Sequence, residues 1–130
     1  MSDLDTARLM IDAWNDGNVD RMVDFWAEDG AWRWEDAPGM PGAGIVEGRE
    51  AVEAHLREVM ELLGDMQIVV ERIEQDGDEV LIAGSMVIHG AHSGIDLDSR
   101  WGHIVTFEDG RVRRYRVFLA PDKPFEGRGS

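Results

Sequence analysis

The apolar residues of this chain change period near residue 65, from helical spacing before it to alternation after it, and one short alternating stretch interrupts the helical half. Ser2 can cap a helix whose apolar positions Leu4, Ala7, Met10, Ile11 and Trp14 recur at helical spacing until Gly17 stops it. Asn18 can cap a second, shorter helix with Val19, Met22, Val23 and Trp26 on one face, expected to end near Asp29-Gly30. Trp32 and Trp34 then alternate with Ala31 and Arg33 in a short strand, before a loop rich in Pro38, Gly39, Pro41, Gly42 and Gly44 that is expected to move most. A third helix is expected from Arg49 to Leu63, with Val52, His55, Leu56, Val59, Met60 and Leu63 on one face and Gly64 as its stop. Strands are expected near Met66 to Glu74, Glu79 to His89, Ser99 to Phe107 and Arg111 to Leu119, with hairpins punctuated by Asp76-Gly77 and Asp109-Gly110. This order of elements is α+β, with one domain over residues 1–120 and a tail over 121–130 that should fray.

Charge and composition remove several function classes. The 27 acidic and 13 basic side chains leave a net charge of −14, so the surface repels phosphate backbones and anionic lipid headgroups, and neither nucleic acid nor membrane is an expected partner. With no cysteine, disulfides, thiolate metal sites and a cysteine nucleophile are excluded. The start, Met1 to Asp5, is polar and acidic, unlike a secretory signal, and no apolar run reaches membrane-spanning length; a cytoplasmic location is the expectation.

Strand parity assigns inward faces. Trp101, His103, Val105 and Phe107 share one face of the third long strand, and Tyr115, Val117 and Leu119 share one face of the last. A two-residue turn at Asp109-Gly110 would set odd positions against even ones, so a three-residue loop of Glu108, Asp109 and Gly110 is expected, with His103 opposite Tyr115 at about 5 Å between Cβ atoms and Trp101 opposite Val117. The same reading at Gln75-Asp76-Gly77 aligns Met66, Ile68 and Val70 with Met86, Gly84 and Ile82. The strand from Glu79 to His89 is apolar on both faces, Leu81, Ala83 and Val87 alternating with Val80, Ile82, Met86 and Ile88, and a homodimer contact is the favoured cover for its outer face over coverage by the tail.

Four segments carry a resemblance: Trp14-Asn15-Asp16-Gly17-Asn18-Val19-Asp20, Phe25-Trp26-Ala27-Glu28-Asp29, Glu47-Gly48-Arg49-Glu50-Ala51-Val52, and Phe107-Glu108-Asp109-Gly110-Arg111-Val112 leading into Tyr115-Arg116. With the order of elements, they make the chain similar over nearly its whole length to the SnoaL-like and nuclear transport factor 2-like superfamily. That group includes ketosteroid isomerase, scytalone dehydratase, limonene-epoxide hydrolase and polyketide cyclases. The resemblance implies a cone-shaped bent sheet, largely antiparallel, packed on three helices around one apolar pocket. The fold hosts many reactions, so the reaction must come from the pocket residues. Matched position by position, the isomerase's first-strand carboxylate base falls at Trp34, its helix tyrosine at Met10 and its second pocket carboxyl near His103. The epoxide hydrolase's water-holding tyrosine and asparagine fall at Trp32 and Trp34, its arginine and first aspartate at Gly84 and Met86, and its second aspartate at Val117. The cyclase's pocket histidine matches His103, and its last-strand aspartate is again replaced by Val117.

The candidate catalytic residues are therefore His103, an imidazole that titrates near neutrality, and Tyr115, a phenol able to orient it or serve as an acid. The alternative for the pair is a hydrogen-bonded core contact. Trp32, Trp34, Trp101, His55, Met86 and Val117 are the candidate ligand-binding residues, since indoles offer flat apolar area and N–H donors to a planar ligand with a carbonyl or hydroxyl edge. Trp14 and Trp26 read as structural, and Glu35, Asp36 and Asp96 border loops near the mouth. The His89-x-x-His92 spacing lacks a helix or nearby carboxylates, so no metal is expected, and no cofactor. Two function classes stay open: a cofactor-independent acid–base enzyme acting on a small hydrophobic ketone, polyketide-like or terpenoid substrate, and a non-catalytic protein that binds a hydrophobic or aromatic ligand.

Overall fold

The computed structural model describes residues 2–35, 44–63, 65–89, 96–118 and 120–126; the loop around Pro38 to Gly42, Asp36, Gly64 and His92 lie outside the described residues. The helices are α1 (Asp3–Asn15), α2 (Val19–Val23) and α3 (Arg49–Leu63), and the strands are β1 (Trp26–Trp34), β2 (Ile45–Glu47), β3 (Asp65–Asp76), β4 (Glu79–His89), β5 (Asp96–Glu108) and β6 (Arg111–Phe118). These strands form one sheet in the order β2-β1-β6-β5-β4-β3. Every pairing is antiparallel except that of β1 with β6.

Caps explain how the helices begin. The Ser2 hydroxyl accepts from the Asp5 amide while the Asp5 carboxylate accepts from the Ser2 amide, a reciprocal capping box that satisfies two otherwise orphaned donors of α1. Asn18 caps α2 by accepting from the Arg21 amide at 3.0 Å. The expected extension of α2 through Trp26 does not form. Trp26 begins β1 instead, and the Phe25 carbonyl accepts from the Val112 amide of β6, so sheet pairing overrides helical spacing there. Strand β2, which sequence reading passed over, adds an antiparallel edge to β1.

Both long hairpins differ from expectation in one respect. Asp109 and Gly110 have φ of 54° and 77°, so they form a two-residue turn, and Glu108 pairs with Arg111. Arg113 is then left over as a bulge, after which Thr106 pairs with Arg114 and His103 with Val117. The expected three-residue loop, with His103 opposite Tyr115 and Trp101 opposite Val117, is thus corrected. The bulge does what the longer loop was invoked to do, setting odd positions against odd ones. Likewise β3 turns into β4 through Gly77-Asp78, and a bulge at Glu71 leaves Ile68 opposite Met86, Val70 opposite Gly84 and Ile73 opposite Ile82.

The inner face of the sheet and the three helices enclose the main core, which includes Met10, Trp14, Met22, Trp26, Trp32, Leu56, Val105, Tyr115 and Val117. Asn15 ties α1 to β3, its side-chain amide donating to the Ile68 carbonyl at 2.9 Å and accepting from the Ile68 amide at 2.7 Å. On the outer face Leu81, Ile104 and Phe118 form a second, smaller cluster with Phe125. Within the expected tail, residues 121–126 include a 3₁₀ turn over Lys123–Phe125 with Pro124 buried, and the Arg72 guanidinium lies 3.9 Å from the centre of the Phe125 ring; residues 127–130 lie outside the described residues. The chain itself therefore covers part of the face that had been assigned to a second copy.

Candidate active site

Trp32 and Trp34 point inward because β1 alternates, with Arg33 between them exposed. The parallel pairing of β1 with β6 places Trp32 beside Tyr115, and their rings stack at 4.6 Å and 10°. Trp26 stacks on the same phenol at 5.9 Å. Trp34 meets Trp32 edge-on at 5.5 Å and Trp101 edge-on at 5.8 Å. The wall is aromatic and continuous from β1 across β6 to β5.

Two imidazoles are set into it. His103, 2 % exposed on β5, has its Nδ1 2.7 Å from the Tyr115 hydroxyl although Val117 is its direct cross-strand partner. Contact is made on the diagonal of the antiparallel pair, which a long aromatic side chain can span. Burial lowers the His103 pKa from 6.5 to about 4 and raises that of Tyr115, so both are neutral near pH 7. His55, on α3, accepts at Nε2 from the Trp34 indole N–H at 2.9 Å. Indole nitrogen only donates, so neutral His55 must carry its proton on Nδ1. Burial lowers its pKa too, opposed by the nearby Glu58 carboxylate.

A small, largely enclosed cavity of about 10 Å³ lies within this wall. Of the candidate site residues, Trp32, Trp34, Met86, His103 and Tyr115 line it. Trp101, His55 and Val117 do not line it: Trp101 and His55 stand behind Trp34, and Val117 is packed in the core with no surface exposed. Trp14, which had read as structural, and Met22, Leu56, Val59 and Ile68 complete the lining. Helical spacing for Trp14, Met22, Leu56 and Val59, and alternation for Ile68, marked a buried face but could not separate residues that border a cavity from those that fill the core. The volume is about that of a single water, so an organic ligand enters only if lining side chains move, and the unbranched Met22 and Met86 move most cheaply. Larger hollows of about 440 and 480 Å³ lie open on the surface among charged residues such as Glu28, Arg49, Asp29 and Arg113, where water competes for every polar contact.

The buried polar side chains are Thr6, His55 and His103, so no carboxylate is buried among the residues whose burial is described, and none lines the cavity among them. Glu35 faces away from the cavity, held by Arg116 at 2.7 Å and Arg33 at 3.2 Å. Among the described residues no group of three or more His, Asp or Glu side chains is placed to hold a metal ion, and no helix is long and apolar enough to cross a membrane.

Comparison with known proteins agrees with this architecture. A nuclear transport factor 2-like protein of unknown function from Burkholderia pseudomallei superposes with a TM-score of 0.82 at 20% identity, covering 95% of each chain. TerC, co-crystallised with polyporic acid, superposes at 0.81 with 18% identity and 95% of each chain covered. A putative SnoaL-like polyketide cyclase from Jannaschia superposes at 0.75 with 21% identity, covering 89% of this chain and 83% of that one. No curated protein matches the sequence. The family model described as a SnoaL-like domain matches residues 7–115, which takes in β1 to β5, the first part of β6 and both members of the histidine–tyrosine pair, and the chain belongs to that family.

Proposed function

We propose that this protein takes a small hydrophobic molecule bearing an oxygen function into the cone and acts on it by cofactor-independent acid–base chemistry, with His103 as the proton carrier and Tyr115 as its partner. The observation that carries this reading is the 2.7 Å contact between the Tyr115 hydroxyl and His103 Nδ1, which leaves Nε2 buried, unpartnered and on a residue that lines the cavity. A phenol that orients an imidazole is a recurring way to ready it for proton transfer. Small ketones, polyketide-like molecules and terpenoids suit an apolar aromatic lining; the polyporic acid bound to TerC and the cyclase description of the Jannaschia neighbour belong to those proteins and support the substrate class by analogy.

A panel of enolisable ketones and epoxides tests it. Turnover should appear, His103→Gln should lower it by about a hundredfold or more with the fold kept, and Tyr115→Phe should lower it less. An unchanged rate in His103→Gln with a lowered melting temperature would make the histidine a core hydrogen-bonding residue. A second reading, binding without turnover, is favoured by a cavity lining that holds no carboxylate among the described residues. It is distinguished by saturable quenching of tryptophan emission without product, weakened by Trp34→Ala.

A further inference from the structure

Building on the proposed pocket, we infer that its polar side is a hydrogen-bond-donor surface: Tyr115 donates to His103 Nδ1, His103 carries its proton on Nε2, and the ligand selected is one that offers an acceptor oxygen such as a carbonyl. The direction of the Tyr115–His103 bond follows from the partners. Imidazole nitrogen is a far stronger base than a phenol oxygen, and a phenol O–H is a stronger acid than a neutral imidazole N–H, so the better donor meets the better acceptor when the hydroxyl gives the proton. The length agrees, since 2.7 Å is the usual separation for an O–H donor and is short for an N–H donor. Neutral imidazole holds one ring proton, and with Nδ1 accepting, that proton must be on Nε2.

The other unpartnered polar atoms of the lining have the same sign. Trp14 Nε1 and Trp32 Nε1 are buried without a hydrogen-bond partner, and indole nitrogen donates only. The third lining indole, Trp34, already spends its N–H on His55. Three N–H donors, from Trp14, Trp32 and His103, thus stand against one acceptor oxygen, that of Tyr115, with the weakly accepting sulfurs of Met22 and Met86 beside them. A carbonyl oxygen satisfies such donors, whereas a ligand that can only donate leaves them unmet and adds an unmet group of its own. His103 in this state begins as a donor that polarises a carbonyl, a role open to a neutral imidazole.

Nitrogen-15 NMR of histidine-labelled full-length protein at pH 7 reads the tautomer directly, and ligand-observed NMR with cyclopentanone, cyclopentane and pyrrole reads the selectivity with rings of one size that accept, do neither, or donate. We expect His103 in the Nε2–H form in the wild type, a loss of that preference in Tyr115→Phe, and cyclopentanone bound about tenfold or more tightly than either other ring. A predominant Nδ1–H form, or a tautomer unchanged in Tyr115→Phe, overturns the assignment of donor and acceptor even if the protein turns over a ketone. Equal affinity for the three rings overturns the selectivity. Binding of none of them overturns the ligand half of the inference together with the proposed pocket, while the tautomer is still read separately from the same spectra.

Discussion

On the inner face of β4, β5 and β6, Met86, His103, Val105, Tyr115 and Val117 lie beneath the helices, whereas on the outer face Leu81, Ile104 and Phe118 lie beneath Pro124 and Phe125 of the chain's own end. Both clusters exclude water. They differ in what they do with polar atoms: among the described residues the buried side-chain atoms without a partner are the indole nitrogens of Trp14, Trp26, Trp32 and Trp101 and Nε2 of His103, all on inward-facing residues, and the outer cluster contains none. Apolar burial alone therefore does not mark a functional site here. A face built purely for stability leaves no buried donor unmet, because each unmet group costs about 1–3 kcal/mol. The inner face tolerates several.

The contrast is most severely tested by Trp32→Ala. Trp32 stacks on Tyr115 and Trp26 and meets Trp34 edge-on, so its removal should cost about 3–5 kcal/mol in denaturant unfolding. A cost below about 1 kcal/mol would mean that the inner wall is loosely packed and that cavity and core are one collapsible space.

Acid sharpens the same comparison, because the buried titrating groups His55, His103 and Tyr115 lie on the inner side. His103 has a folded pKa of about 4 against 6.5 when unfolded, so between those values the unfolded chain binds the extra proton. The associated stability is fully present above pH 6.5 and is lost as the pH falls toward 4, by about 3 kcal/mol in all. Burial of His55 acts in the same direction. His103→Gln should flatten this acid limb measured by urea midpoints. At the alkaline end, the one tyrosine of the chain should show no phenolate absorbance near its usual pKa of about 10 while the protein is folded, since burial holds its proton on.

The smallest expected effect belongs to the outer face. A Cβ added at Gly102 would lie 2.6 Å from Pro124 Cδ and 2.9 Å from the Ala120 carbonyl oxygen, so Gly102→Ala should lift the tail, cost about 1–3 kcal/mol and speed chymotrypsin cleavage after Phe125. Near-UV circular dichroism, which reports the indole wall, should not change; if it does, the two faces are coupled. With the tail covering Leu81 and Ile104, the expected homodimer rests on Val69, half-exposed, and Val87, part-exposed on the same face. Sedimentation of the wild type showing only a 14.6 kDa species at micromolar concentration would remove it.

The amino-acid sequence by itself determined the period of α1, α3 and the four long C-terminal strands, the capped starts of α1 and α2, the extent of α3, and the parity that sends Trp32, Trp34, His103 and Tyr115 inward. These are local properties, set by residues within one or two turns or strand repeats of each other, and a single chain displays them directly. Tertiary structure decided the rest. Whether a longer loop or a bulge at Arg113 restores parity depends on the match between turn twist and sheet twist along a whole hairpin, and both satisfy the same alternation. The diagonal contact of Tyr115 with His103 follows from that choice. The bond from Trp34 to His55 and the closing of Pro124 on Gly102 join residues 21 and 22 positions apart on different elements. No periodicity encodes those contacts, because they depend on how far a side chain reaches across a gap whose width only the packed elements set.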